Sequence, residues 1–459
     1  TKRKDELWKI TKRFPQNEVI RNQFCRYRDV YRQVLRTAEN NYLRRKINMI
    51  GDPKGSWRVI NEQIRGKRCT KRLPARLTDP SASTTDLDQA NEYFANLGPR
   101  TVQLSPRFDQ NFYLPRYELK STLTEFPIPD REEIRELIQK LKNGKAPGRD
   151  GILANTLKKN IGFFTEALQH LIETIFSTGK FPQSLKMANT VLIHKKGDFD
   201  TLANYRPISL LSIFSKITEK VIGSHINYHL QTNDILSAQQ FGFRKNKGTQ
   251  DAVLYLQDFV MKAIDAEYIP VVVLLDFSAA FDCVQHQRLL LKLESVGIRD
   301  KAIDLIRSYL TNRTQQLKCA EKVSNHTKVV CGVPQGGSLS AIFFSVYIND
   351  LLMKNCDTVS YVGYADDVGL MFKYKKMIDW GEIEHHTSGV FRWAKENGLL
   401  LNPLKSSYMV FGRATQDARP PIRIHTDECR SCITCLCPGI QNVMESRYLG
   451  VLIRSEEHT

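Results

Sequence analysis

Hydrophobic and polar positions repeat in two rhythms along this chain, and the rhythms divide it. Over residues 17–50, Ile20, Phe24, Tyr27, Tyr31, Val34, Ala38 and Tyr42 recur at steps of three and four, one stripe of a long amphipathic helix. Arg21, Arg28, Arg32 and Arg36 lie off the stripe and give the helix a basic face, and Gly51-Asp-Pro53 ends it. Further helices are expected over 56–65 and 86–96. Residues 98–129, with several Pro and no period, read as a linker or an extended lead-in. Asp130 is the expected cap of a helix with the stripe Ile134, Leu137, Ile138 and Leu141. Helical segments at 153–178, a short strand at 190–193 and a helix at 213–230 follow.

The second rhythm begins at Pro270-Val-Val-Val-Leu-Leu-Asp276, β-branched and apolar on both faces, which predicts a central strand ending in an acid. Helices are expected at 287–295 and 302–310, and another opens at Ser338 and runs through Phe343 and Tyr347. Val359 and Tyr361, then Val368, Leu370 and Phe372, predict two short strands with Asp366-Asp367 at the turn between them. Strand, helix, then hairpin is the order of a split βαβ core.

Bulk properties sharpen this picture. The 459 residues suffice for two or three domains. No apolar run of about 18 residues predicts a membrane-spanning helix. Thr1-Lys-Arg-Lys has neither a signal-peptide pattern nor an initiator Met, so the chain reads as a fragment or a processed piece. The net charge of +18 is unevenly spread: residues 1–76 hold 22 Lys and Arg against 7 Asp and Glu, and the remainder 45 against 42. A nucleic-acid-binding arm has this asymmetry, although an anionic membrane surface or plain solvation would also suit it. The ten Cys are scattered except for Cys429, Cys432, Cys435 and Cys437, and reduced thiols in the nucleus and cytoplasm are the expectation. Four thiols within nine residues lack the two separated pairs usual in zinc sites. An elaborated hairpin, not a structural zinc, is expected there.

Two adjacent acids in an apolar run are either a turn or one side of a metal site, because burying both needs a neutralising cation. Asp276 at a strand end can join them. Three carboxylates of this kind can hold two Mg²⁺ ions about 3.5–4 Å apart, the arrangement for in-line phosphoryl transfer, and Mn²⁺ would also suit them.

Eight blocks, in order, carry a resemblance. They are Gly144-Lys-Ala-Pro-Gly-Arg-Asp-Gly151, Asn204-Tyr-Arg-Pro-Ile-Ser-Leu-Leu211, Gln240-Phe-Gly-Phe-Arg244 and Leu275-Asp-Phe-Ser-Ala-Ala-Phe-Asp282. Gly332-Val-Pro-Gln-Gly-Gly-Ser-Leu339, Tyr364-Ala-Asp-Asp367, Asn397-Gly-Leu-Leu-Leu-Asn-Pro-Leu-Lys405 and Tyr448-Leu-Gly-Val451 complete them. Together the blocks resemble the reverse transcriptase of non-LTR (LINE-type, jockey-like) retrotransposons. The resemblance implies an α+β right-hand polymerase, palm and fingers, over 130–453. A basic helical extension would fill 1–97, a lead-in 98–129 and a truncated tail 454–459, with the thumb absent or cut short.

The resemblance also implies roles. Asp276 and Asp366 would be the principal metal ligands and Asp367 an auxiliary acid. Lys195 and Arg206 would reach the incoming triphosphate, Phe281 would exclude a ribose 2′-hydroxyl, and Gln335 would meet the base pair or sugar. Lys405 would donate a proton to pyrophosphate, and Tyr448, Leu449 and Gly450 would form the primer grip. The implied reaction adds dNTPs to a primer 3′-hydroxyl on an RNA template, the primer being a nick in target DNA. No endonuclease block and no gag-like zinc knuckle stand beside these. A viral-type RNA polymerase would share the acids, but Ala365 before them and Phe281 favour deoxynucleotides. A group II intron-type enzyme is a close catalytic relative. An RNA-binding relic without catalysis is the alternative of a different class.

Overall fold

A computed structural model describes residues 2–14, 17–48, 73–74, 77, 84–102, 114–319, 322–354, 356–412, 420–425 and 437–455. Two compact units meet in sequence at Arg72 and Leu73.

In the first unit, helices Lys2–Arg13 and Glu18–Asn48 pack against each other, with the Trp8 and Phe24 rings 5.3 Å apart. The long helix matches the expected stripe, but only partial cover is provided for it: Val34 and Tyr42 stay exposed. The helix expected at 56–65 lies outside the described residues.

In the second unit, strands β1 (Met187–His194) and β2 (Tyr205–Leu210) come first, followed by β3 (Ile269–Ser278). Next are β4 (Arg313–Cys319), β5 (Lys322–Val323) and β6 (Thr327–Val329), then the hairpin β7 (Ser360–Tyr364) and β8 (Asp367–Tyr374). β9 (Leu400–Leu401), β10 (Ser407–Val410), β11 (Ile422–Arg423) and β12 (Gly439–Asn442) lead to a last hairpin, β13 (Glu445–Tyr448) and β14 (Val451–Arg454). The larger sheet runs β11-β12-β10-β3-β8-β7, with β9 on the end of β3. β8 is antiparallel to both β3 and β7, so it sits between two parallel strands joined through helix Ser338–Leu352. That is the expected split βαβ core.

β3 is buried on both faces because its residues are apolar at every step. Val271, Val273 and Leu275 join the core under helix Ser338–Leu352, while Val272 and Leu274 pack with Ala252, Leu256 and Val260 of helix Thr249–Asp265. Each such side chain contributes about 1.5–3 kcal/mol by leaving water. The smaller sheet runs β2-β1-β4-β5, with β6 beside β4.

Residues 84–102 differ from the expectation. Helices Thr84–Ala95 and Leu97–Val102 belong to the second unit, although the pattern divided them between extension and lead-in. Leu87 and Phe94 pack on Leu192 and Leu317 of the smaller sheet. Buried Asn91 donates to the Asn325 carbonyl at 3.0 Å and to Thr327 Oγ1 at 2.9 Å. Pro99 misled the pattern, for it occupies the first helical turn, where its missing N–H costs nothing. Asp130 caps its helix as expected, its carboxylate accepting from the Glu133 N–H at 2.8 Å. No helix among the described residues is long and apolar enough to cross a membrane.

Candidate active site

The β3–β8 register brings the acids together. Asp276 and Asp367 are directly opposed across the two strands, and Asp366 occupies the turn from β7. Ala365, beside it, has φ +56°, the left-handed conformation that a two-residue hairpin turn demands. The segment Gln240–Phe243 holds this turn. The Phe241 N–H donates to the Gly363 carbonyl at 2.8 Å, and the Gly363 N–H to the Gln239 carbonyl at 2.9 Å. At Gly242 a Cβ would stand 2.4 Å from the Ala365 nitrogen, so only glycine fits. The sequence had offered Gly242 inside a family block but gave it no role.

Electrostatics mark the cluster as short of positive charge. Burial, then Asp366 and Asp276, push Asp367 up to about 6. Burial also raises Asp366, with Asp276 adding to the shift and its own backbone N–H, Arg206 and Lys195 opposing it. Lys405 Nζ stands 3.9 Å from Asp276 Oδ2, both side chains half open to solvent. Lys195 is lowered by partial burial and by neighbouring Arg206 and Lys405, while Asp282 and Asp276 draw it back. Arg206 on β2 pairs with Ile193, two residues before Lys195. The sequence-expected cations therefore converge on the sequence-expected acids from the smaller sheet and from the loop after β9.

The remaining candidates surround this centre. The half-buried Phe281 ring stacks on Phe344 with centroids 4.5 Å apart and meets Phe243 edge-on at 6.1 Å. The Gln335 carbonyl accepts from the Ser209 N–H at 2.9 Å, and Gln335 Nε2 donates to Asp282 Oδ2 at 2.7 Å. Tyr448 is buried, its hydroxyl has no hydrogen-bond partner among the described residues, and burial together with Asp367 raises it. Leu449 and Gly450, both with positive φ, turn β13 into β14.

Glu219 is a residue that the sequence reading missed. Fully buried, it accepts from the Ser338 N–H at 2.7 Å, from Ser215 Oγ at 3.1 Å and from the Tyr309 hydroxyl at 3.2 Å. It thereby ties down the start of the helix that follows Gln335. The available signal was an acid four residues after Ser215 and three before Ile222, on a helix face that is otherwise largely apolar.

A divalent cation fits this donor set. The convergent groups are carboxylates, hard oxygen ligands that raise one another's affinity for protons when no cation stands between them. Among the described residues the carboxylates form an open set, with no three ligating side chains already gathered around one point. Of the cysteine cluster only Cys437 is described, and Cys429, Cys432 and Cys435 lie outside the described residues.

The segments that carry this site also match known proteins. The family model described as "Reverse transcriptase (RNA-dependent DNA polymerase)" matches residues 193–453, more than half of the chain. The probable RNA-directed DNA polymerase from transposon X-element of Drosophila melanogaster is 28% identical over 402 residues, which are 84% of this chain and 42% of that protein. The RNA-directed DNA polymerase from mobile element jockey of the same organism is 28% identical over 377 residues, 76% of this chain and 40% of that protein. The chain thus spans about two fifths of the length of the curated relatives it matches. Among solved structures, apo telomerase from Candida tropicalis truncated from its C-terminal domain aligns with a TM-score of 0.40 and 13% identity, covering 60% of this chain and 54% of that one.

Proposed function

We propose that this chain, which belongs to the reverse transcriptase (RNA-dependent DNA polymerase) family, adds deoxynucleotides to a primer 3′-hydroxyl on an RNA template. The observation that carries the reading is the β3–β8 register, with Asp276 opposite Asp367, Asp366 at the turn, and Lys195, Arg206 and Lys405 around them. Asp276, Asp366 and Asp367 would hold divalent cations, two Mg²⁺ in the first instance. When bound, these supply neutralisation of phosphate charge and a lower pKa for the attacking hydroxyl.

The chain's own residues do the rest. Arg206 binds the triphosphate through its planar fork and Lys195 as a point charge, whose lowered proton affinity reflects partial burial. Phe281, its ring fixed against Phe344, leaves no room for a ribose 2′-hydroxyl. Gln335 orients the incoming sugar or base pair. Lys405, beside Asp276, holds the proton that the leaving pyrophosphate takes up. The β13–β14 turn at Tyr448, Leu449 and Gly450 seats the primer end. In keeping with relatives named for mobile elements, the template is the element's own RNA and the primer a nick in target DNA.

Primer extension on an RNA template with dNTPs and Mg²⁺, beside an Asp366→Asn control, tests the reading. Incorporation that the control abolishes is the expected outcome. No incorporation above the control would overturn it and leave RNA binding as the chain's activity. Substituting rNTPs separates this reaction from RNA synthesis.

A further inference from the structure

We propose that Asp282 is a positioning residue that fixes the side-chain orientation of Gln335, and through it the pose of the incoming deoxynucleotide. The inference rests on the polymerase reading above and adds to it a residue to which that reading gives no role.

A glutamine amide can turn over at little cost, and the two orientations offer a substrate opposite hydrogen-bonding edges. Here the choice is made by the neighbour. An ionised carboxylate only accepts, so Asp282 Oδ2, 2.7 Å away, must face the Gln335 NH₂ group. The amide oxygen is then the edge left for a substrate. The Gln335 backbone is pinned separately, its carbonyl accepting from the Ser209 N–H of β2 at 2.9 Å. Main chain and amide are thus held from two sides.

Asp282 can act as a fixed point because backbone is packed directly on it. A Cβ at Gly98 would stand 2.0 Å from the Asp282 carbonyl oxygen, and one at Gly332 would stand 2.9 Å from its Cα. Its own N–H donates to the Ala279 carbonyl at 2.9 Å, and Cys331 Sγ lies 3.4 Å from its carbonyl oxygen. Helix Leu97–Val102 and the loop before helix Ser338–Leu352 therefore clamp one short segment, Ala280–Cys283, which also carries Phe281. The aromatic ring and the amide oxygen are set by consecutive residues of a single turn. Burial pushes the Asp282 carboxyl up to about 6, against the pull of Gln335 and Lys195. An acid kept there at that cost is accounted for by what it holds.

The test is steady-state primer extension on an RNA template, reading KM for dNTP and kcat separately. Asp282→Ala and Asp282→Asn are each made beside Gln335 and in a Gln335→Ala background. Asp282→Ala is expected to raise the dNTP KM by about tenfold, the size of one charge-assisted hydrogen bond, with template–primer affinity unchanged. Asp282→Asn can turn either edge of its own amide toward Gln335, so it no longer enforces one orientation and should also raise the dNTP KM, though by less than Ala. Beside Gln335→Ala, Asp282→Ala should add little, because its route through the amide is gone. Additive losses in the double variant, or an Asn variant with a wild-type dNTP KM, would overturn the inference. Should Asp282→Ala fail to fold, Asp282→Asn decides in its place: a raised dNTP KM that adds nothing beside Gln335→Ala supports the inference, and an unchanged KM, or a loss additive with that of Gln335→Ala, overturns it. A wild-type chain that incorporates no dNTP brings down the polymerase reading first, an outcome distinct from any of these.

Discussion

Asp367 shows what the acid cluster costs the chain without a cation. Its carboxyl, raised from 3.8 to about 6 by burial and by Asp366 and Asp276, binds protons more tightly in the folded state than in the unfolded one. Between those two values the folded chain carries the extra proton, so its stability falls as pH rises through that window. At neutral pH the metal-free fold therefore holds an ionised group that it disfavours. Asp367→Asn removes that charge. Thermal melts without Mg²⁺ at about pH 7.5 should show the variant more stable than wild type, while primer extension shows it impaired. Added Mg²⁺ should raise the wild-type melting temperature more at about pH 7.5 than at about pH 5.5, where protons already relieve the repulsion. A metal-free variant melting below wild type would contradict the electrostatic account.

Elements differ in how far their roles could be read in advance. The β7–β8 hairpin was legible because its alternation is local, and β3 because every one of its steps is apolar. The brace on the hairpin was not, since Gly242 meets Ala365 across more than 120 residues of sequence and no local rhythm encodes a close backbone approach. Helix Leu97–Val102 was hidden by Pro99, and Glu219 by a pattern that counts apolar positions and overlooks a buried acid. Asp282 stood inside a recognised block, yet its partner Gln335 is 53 residues away. Gly242→Ala tests the brace. The clash is with backbone, so the segment or the turn must shift, costing about 1–3 kcal/mol and displacing Asp366. Gly162→Ala is the contrast, because in helix Ile161–Thr178 its Cβ meets nothing within 4 Å among the described residues and should add about 0.5–1 kcal/mol of stability. Chemical denaturation of both, with primer extension, checks the pair. Equal stability changes would mean that the Gly242 contact yields without strain.

The charge asymmetry is a property of the whole chain, and it coincides with the division into units. Nearly all of the excess positive charge falls in residues 1–76, and the first compact unit ends at Arg72. The second unit carries the acids, the candidate triphosphate cations and all three described sheets, so the chemistry and the bulk of the positive field are separable. Clustered Lys and Arg bind nucleic acid by releasing condensed counterions, which makes affinity fall with salt by a slope of about 0.7 per phosphate contacted on a single strand. Removing residues 1–72 should therefore weaken RNA binding and make log K against log salt shallower by about 2 or more, the equivalent of three phosphates. The dNTP KM should not move, since the candidate nucleotide-binding residues all lie beyond Leu73. Salt titrations of RNA affinity on the full and shortened chains measure the slope, and primer extension at saturating template measures the KM. An unchanged slope would assign the RNA contact to the second unit, and the basic helices would then be a solvated surface.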